Sequence, residues 1–212
     1  MQATALDAKK PTAKTKLLDA ALRVIRAKGY AATSVDDLCA EAGVTKGAFF
    51  HHFPSKDALA VAAANHWSEI TTALFEGAPY HAYADPLDRI LGYLDCRLSL
   101  LRGPVSEFTC LVGTLVQEAY DSSPAIRAAC DACISGHAER LEADIAQAMQ
   151  DHGIAADWTA HGLALHTQAV IQGALILAKA KGGAAVAADS IRHLRRYIEL
   201  LFLQPHRPET SS

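Results

Sequence analysis

Residues 33–52 read TSVDDLCAEAGVTKGAFFHH, two short helical patterns on either side of a glycine with almost no linker between them. Thr33 or Ser34 can cap the first helix, and Asp36 and Asp37 fall in its first turn, where the helix dipole favours negative charge. Leu38 and Ala42 then face inward. Gly43 supplies the left-handed conformation of a tight turn, Val44 packs into the junction, and Thr45 can cap the second helix. Phe49 and Phe53, four apart, take the buried side of that helix, which leaves Lys46, Gly47, Ala48, Phe50, His51 and His52 facing out. A partly apolar face with small residues suits entry into a major groove. Pro54 ends the second helix, Ser55 can cap the next, and Lys56 stands in its first turn, where backbone N–H groups and an ammonium can hold one phosphate. The same pattern also describes a helical hairpin with no nucleic-acid role, and spacing alone does not choose between them.

Outward from this segment, Gly and Pro cut the chain into helix-length pieces: Gly29, Gly43, Pro54, Gly77 to Pro79, Pro86, Gly103-Pro104, Pro124, Gly153, Gly182-Gly183 and Pro205. Nine helices follow, over about 13–28, 34–42, 45–52, 55–77, 86–102, 106–120, 124–151, 157–180 and 185–203. No segment alternates with period two, so the class is all-α. In the first helix Leu18, Ala21, Leu22 and Ile25 form one apolar stripe, while Lys14, Lys16, Arg23, Arg26 and Lys28 occupy the other faces. Ahead of it, Lys9, Lys10 and Lys14 surround Pro11 in a basic arm that fits DNA contact and an ordinary tail equally.

The net charge of −3 conceals a division. Residues 1–60 hold nine Lys and Arg against six Asp and Glu, so the remaining 152 residues hold 11 against 17 of the 20 and 23 in the whole chain. Positive charge collects at the end where phosphate contact is expected. Five cysteines, odd in number and scattered through helical patterns, point to reduced thiols and a cytoplasmic protein. The polar start of the chain gives no signal for export. The most apolar window, 162–181, is interrupted by His166, Gln168 and Gln172 and reads as a buried helix, not a membrane span.

The stretch LLDAALRVIRAKGYAATSVDDLCAEAGVTKGAFFHHFPSKDAL, residues 17–59, resembles the DNA-binding region of the TetR family of ligand-controlled repressors. The Ala20-Ala21 pair, Gly29-Tyr30, Thr33, Ala42-Gly43-Val44, Gly47, Phe53, Ser55-Lys56 and Leu59 stand where that family's pattern wants them. The family usually carries Tyr where this chain has Phe50, so a hydroxyl bond to phosphate is lost and an apolar contact is gained. Cys39 stands where Ala is common and suits a small buried position. The resemblance implies an arm over 1–12, a helix-turn-helix domain over 13–56, a ligand-binding and dimerisation domain over 57–204, and a tail over 205–212. Operator contact is then expected from Thr33, Ser34, Thr45, Lys46, Gly47, Ala48, Phe50, His51, His52 and Lys56.

By the same resemblance the last two helices pair with a twin subunit. Ile191, Leu194, Ile198 and Leu201 form a stripe in the last helix, Tyr197, Leu200 and Phe202 extend it, and Gly162, Ala164, Gly173, Ala174 and Ala178 allow close approach in the one before. Gly173, Ile191, Leu194, Tyr197, Ile198 and Leu201 are therefore the expected dimer contacts, and a two-fold dimer calls for a near-palindromic operator. Candidates for lining an effector cavity are the polar or aromatic residues on otherwise apolar helices: Trp67, Tyr93, Arg97, Phe108, Thr114, Gln117, His166 and Gln172. Cys110, in the run from Glu107 to Gly113, is read either as an inert buried thiol or as a reactive one favoured by a helix start, as in family members that sense electrophiles. Cys130, Cys133 and His137 share a helical face but have no fourth ligand, so no metal is assigned. No cofactor is expected. A helical enzyme would need a phosphate loop, a nucleophile elbow or paired carboxylates, and none of these motifs stands in the sequence. A small-molecule carrier with a vestigial DNA module is the remaining rival. The expected protein is a repressor that leaves its operator when an inducer binds.

Overall fold

The computed structural model describes residues 11–203; nearly all of the expected arm, and the whole tail from 205, lie outside the described residues. Among the described residues there are ten α-helices, one 3-10 turn and no strand: α1 Ala13–Lys28, α2 Val35–Ala42, α3 Lys46–His52, α4 Lys56–Glu76, the turn Pro79–Ala82, α5 Pro86–Ser99, α6 Val105–Phe108, α7 Leu111–Ala119, α8 Pro124–Asp151, α9 Ala160–Lys181 and α10 Ala185–Leu203. Eight of the nine expected spans return within three residues. The ninth, 106–120, is divided into α6 and α7.

Local chemistry explains the shared boundaries. Thr12, Thr45 and Ser55 each accept a backbone N–H of the helix they open. Ser34, not Thr33, caps α2, in a reciprocal box with Asp37. Gly43 takes φ 64 and ψ 40 at the end of α2, and the N–H of Val44 returns to the Cys39 carbonyl at 3.0 Å. The break that spacing did not disclose lies at Thr109 and Cys110, both extended. Cys110 acts as the cap of α7, its sulfur accepting the Gly113 N–H at 3.4 Å. A thiol is a weak acceptor and an unusual cap, so composition gave no warning.

Two apolar clusters fill the interior. The first joins Leu17, Ala21 and Ile25 of α1, Leu38 of α2, Phe49 of α3 and Leu59 and Ala63 of α4 to Leu111 and Leu115 of α7 and Ile126 of α8. The second gathers Phe75 from the far end of α4 with Ile90, Leu94, Ile145, Ile171, Ile191 and Ile198. Helices α1 to α3 therefore have no core of their own: α4, α7 and α8 complete it. Helix α9 is long and apolar enough to cross a membrane by length and composition, yet 44% of its apolar window is buried inside the molecule. It packs against α8 and α10.

Phe49 is fully buried where α3 meets α1, α2 and α4. Phe49→Ala should cost about 3–5 kcal/mol of unfolding free energy. Urea denaturation followed by circular dichroism measures it, and a cost below about 1 kcal/mol would contradict the packing described.

Candidate nucleic-acid interface and interior cavity

Helix α3 presents a continuous outward face. Thr45, Lys46, Gly47, Phe50 and His51 are exposed, with Ala48 and His52 half-buried beside them. The Phe50 ring is 54% exposed, whereas Phe49 next to it is sealed, so the two phenylalanines divide between surface and core as the spacing required. Gly47 is free of internal demands: a Cβ there would meet only the Thr45 hydroxyl, at 3.7 Å. Helix stability alone favours alanine at such a position.

Two lysines at or beside α3 are paired with carboxylates of α2. Lys46 pairs with Asp36 at 2.7 Å and Lys28 with Asp37 at 2.6 Å, all four side chains substantially exposed. The Asp36 carboxylate raises the pKa of the Lys46 ammonium, and the Lys28 bond followed by the Ser34 bonds holds Asp37 well below the usual carboxylate range. Two expected phosphate or base contacts stand differently. Thr33 is buried and its hydroxyl donates to the Gly29 carbonyl at 2.6 Å, so it braces the loop between α1 and α2. Lys56 turns inward to donate to the carbonyls of Tyr30 at 3.1 Å and Thr33 at 3.0 Å, with its ammonium 4.2 Å over the Tyr30 ring. The Tyr30 hydroxyl in turn donates to Asp57. Lys56 thus ties α4 to the loop, a tertiary role that its place in a first turn did not reveal.

A cavity of about 40 Å³, room for a few waters, lies between α4, α5, α8 and α9 and the α6–α7 break. Trp67, Arg97, Phe108, Cys110 and Gln172, all named from sequence, line it. So do Thr71, Val112, Cys133, Ile134, His137, Gln168 and Leu175, none of which was expected at an effector cavity. Thr71 lies four after Trp67 and His137 four after Cys133, so helical spacing could have supplied them once one wall residue was known. The remaining candidates fall elsewhere. Tyr93 stands behind the wall, its hydroxyl accepting Arg97 Nε at 2.9 Å and Gln168 Nε2 at 3.1 Å. Thr114 is engaged by Lys179 at 2.7 Å in an open groove beside α1. Gln117 is exposed and bonds back to the Gly113 carbonyl at 2.6 Å. His166 points away, its ring 5.4 Å from that of Tyr197 on α10, because the cavity side of α9 is set by 168, 172 and 175.

Cysteine placement follows burial. Cys130 belongs to the first core cluster and burial pushes its thiol up to about 12, whereas Cys110 and Cys133 reach the cavity wall. His137 accompanies Thr71 at 3.1 Å. Burial, reinforced by the nearby Arg97 and Arg140 cations, pulls the imidazole down to about 4.

Cavity and head are joined directly. Arg26 of α1 lies 4.9 Å from the Trp67 ring centre and donates to the Glu107 carbonyl of α6 at 2.9 Å. Glu118 of α7 accepts the Ala31 N–H at 2.7 Å, and its carboxylate packs so closely on Gly29, held at φ +89, that a Cβ would collide with it. Of the expected dimer contacts, Ile191, Leu194 and Ile198 are buried within their own subunit in the second cluster, whereas Tyr197 is exposed and Gly173 and Leu201 are half-buried. The exposed large apolar side chains of the last two helices are Tyr197, Leu200 and Leu203 on α10 and Leu165, Ile176 and Leu177 on α9.

Residues 17–63 match the family described as bacterial regulatory proteins, tetR family, and residues 86–194 match the tetracyclin repressor-like C-terminal domain. Among curated relatives, the uncharacterized HTH-type regulator YerO of Bacillus subtilis is 37% identical over 54 residues, 26% of this chain and 19% of its own length. The chain therefore spans about a fifth of that relative. YxaF of Bacillus subtilis, also an uncharacterized HTH-type regulator, is 26% identical over 163 residues, 76% of this chain and 82% of its own length. A TetR transcriptional regulator from Chloroflexus aurantiacus superposes with a TM-score of 0.76 and 26% identity over 88% of this chain and 94% of that one.

The low pKa of His137 has a measurable consequence. An imidazole held near 4 when folded and at about 6.5 when unfolded contributes stability fully present above pH 6.5, lost as pH falls toward 4. The loss is on the order of 3 kcal/mol. Thermal unfolding at pH 7 and pH 5 should show a smaller difference in His137→Gln than in the wild type. An unchanged difference would remove the buried neutral imidazole from the account.

Proposed function

The chain belongs to the TetR family of bacterial regulatory proteins, and from that premise we propose that it is a homodimeric cytoplasmic repressor that grips a near-palindromic operator and releases it when a small molecule enters the interior cavity. Residues 13–56 serve as the reading head and 57–204 as the sensing and dimerisation body. The observation that carries the reading is the outward face of α3, where an exposed Phe50 and a glycine the fold does not require stand together. A flat apolar ring and a bare backbone suit contact with thymine methyls and close approach to the groove. Thr45, Lys46, Ala48, His51 and His52 complete that contact, with Ser34 beside it. Lys46 has to leave Asp36 to reach a phosphate, which trims nonspecific attraction more than specific reading.

Transmission rests on groups that touch both ends. Trp67 and Thr71 line the cavity on the same helix whose first turn carries Lys56, and Arg26 rests on Trp67 while belonging to α1. An occupant that moves Trp67 therefore biases the tilt of the head, provided it binds the tilted state better. Dimerisation uses the outward face of α9 and α10, whose six exposed large apolar side chains are more than a monomer usually leaves in one place.

Gly47→Ala separates fold from function: it should stabilise the protein by about 0.5–1 kcal/mol and weaken operator binding by about tenfold or more. Fluorescence anisotropy on the chain's own upstream DNA, with excess competitor, measures the second effect. Full affinity in this variant would mean that α3 does not enter the groove. Tyr197→Asp combined with Leu200→Asp should yield monomers by sedimentation and lose operator binding; a dimer that persists places the two-fold contact elsewhere.

A further inference from the structure

Arg97 of α5 is the one permanently charged side chain on the cavity wall. Among the described residues it forms no ion pair, while Asp95 pairs with Arg195 at 3.3 Å, Asp144 with Arg89 at 2.7 Å and Glu76 with Arg140 at 3.5 Å. Its Nε donates to the Tyr93 hydroxyl, and its guanidinium carbon lies 4.2 Å over the Phe75 ring. Both terminal nitrogens lack a hydrogen-bond partner among the described residues. The Tyr93 oxygen receives bonds from both Arg97 and Gln168, so its own proton remains to be donated. Donors thus converge on one side of the cavity, and no carboxylate stands on its wall to pair with the half-buried guanidinium. Trp67, Phe108, Val112, Ile134 and Leu175 give the wall its apolar part, and Thr71, His137, Gln168 and Gln172 are its neutral polar residues.

Resting on the regulator reading above, we infer that the effector is a small organic carboxylate with a flat apolar body, its carboxylate held by the two terminal nitrogens of Arg97 and its body seated between Trp67 and Phe108. The planar guanidinium matches a carboxylate in two parallel bonds, and a neutral amide of the same shape offers one acceptor oxygen in place of two. Room is made by the wall. The present volume holds only a few waters, and Gln172, which has no hydrogen bond among the described residues and packs on Gly113, is the side chain that can swing away at least cost.

The test uses the full chain with benzoate as probe and benzamide as its neutral counterpart, read by thermal shift and titration calorimetry, with operator binding measured on the same samples. Benzoate should raise the melting temperature and bind at least about tenfold tighter than benzamide. Arg97→Met should erase that preference, and Arg97→Lys should retain part of it, which guards against a variant that merely fails to fold. Equal binding of the two probes, binding of neither, or a preference that survives in Arg97→Met overturns the inference. Protein that reads its operator but ignores charge on the probe defeats this inference alone; protein that ignores the operator defeats the regulator reading.

Discussion

One helix belongs to two cores, and that sharing governs what the molecule can do. Helix α4 is 21 residues long, about 30 Å at the usual rise. Leu59, Ala60, Ala63 and Ala64 bury one end in the cluster that also holds α1, α2 and α3, while Phe75 buries the other beside α5, α8 and α10. Close-packed interiors do not stretch, and on the proposed reading a displacement at the cavity end reaches the head as a change of angle. Arg26 and Glu118 make the connection stiffer, since α6 and α7 grip α1 and the following loop independently of α4.

The head was legible because its information is local. Capping at Ser34 and Thr45, the turn at Gly43 and the division of Phe49 from Phe50 are all written within 20 consecutive residues, and the structure keeps each of them. Legibility fails where a side chain answers to a partner far away in sequence. Thr33 bonds to Gly29 and Lys56 to Tyr30, so both face inward although their spacing suits DNA. The break at Cys110 depends on a sulfur cap that no propensity scale favours.

The cavity was half legible for a related reason. A polar residue on an apolar helix marks an interior position but does not reveal which interior it enters. Trp67, Arg97 and Gln172 share one wall, yet His166, only two residues before Gln168, lies on the opposite side of α9. Helix α10 taught the same lesson in reverse. Its most regular stripe, Ile191, Leu194 and Ile198, serves its own subunit, and the less regular set around Tyr197 and Leu200 is what remains outside.

The inward commitment of Lys56 reaches beyond the loop it anchors. With Lys28 and Lys46 engaged by Asp37 and Asp36, and Arg23 by Glu41 at 2.6 Å, few cations on the described head are free to displace ions from a duplex. Each of those contacts has to open before its cation can meet a phosphate, which lowers the number of counterions these four lysines and arginines can release and with it their share of the salt dependence. Occupancy of a regulated promoter would then vary less while the osmotic state of the cell swings, leaving the chemical cue in the body to decide when transcription starts.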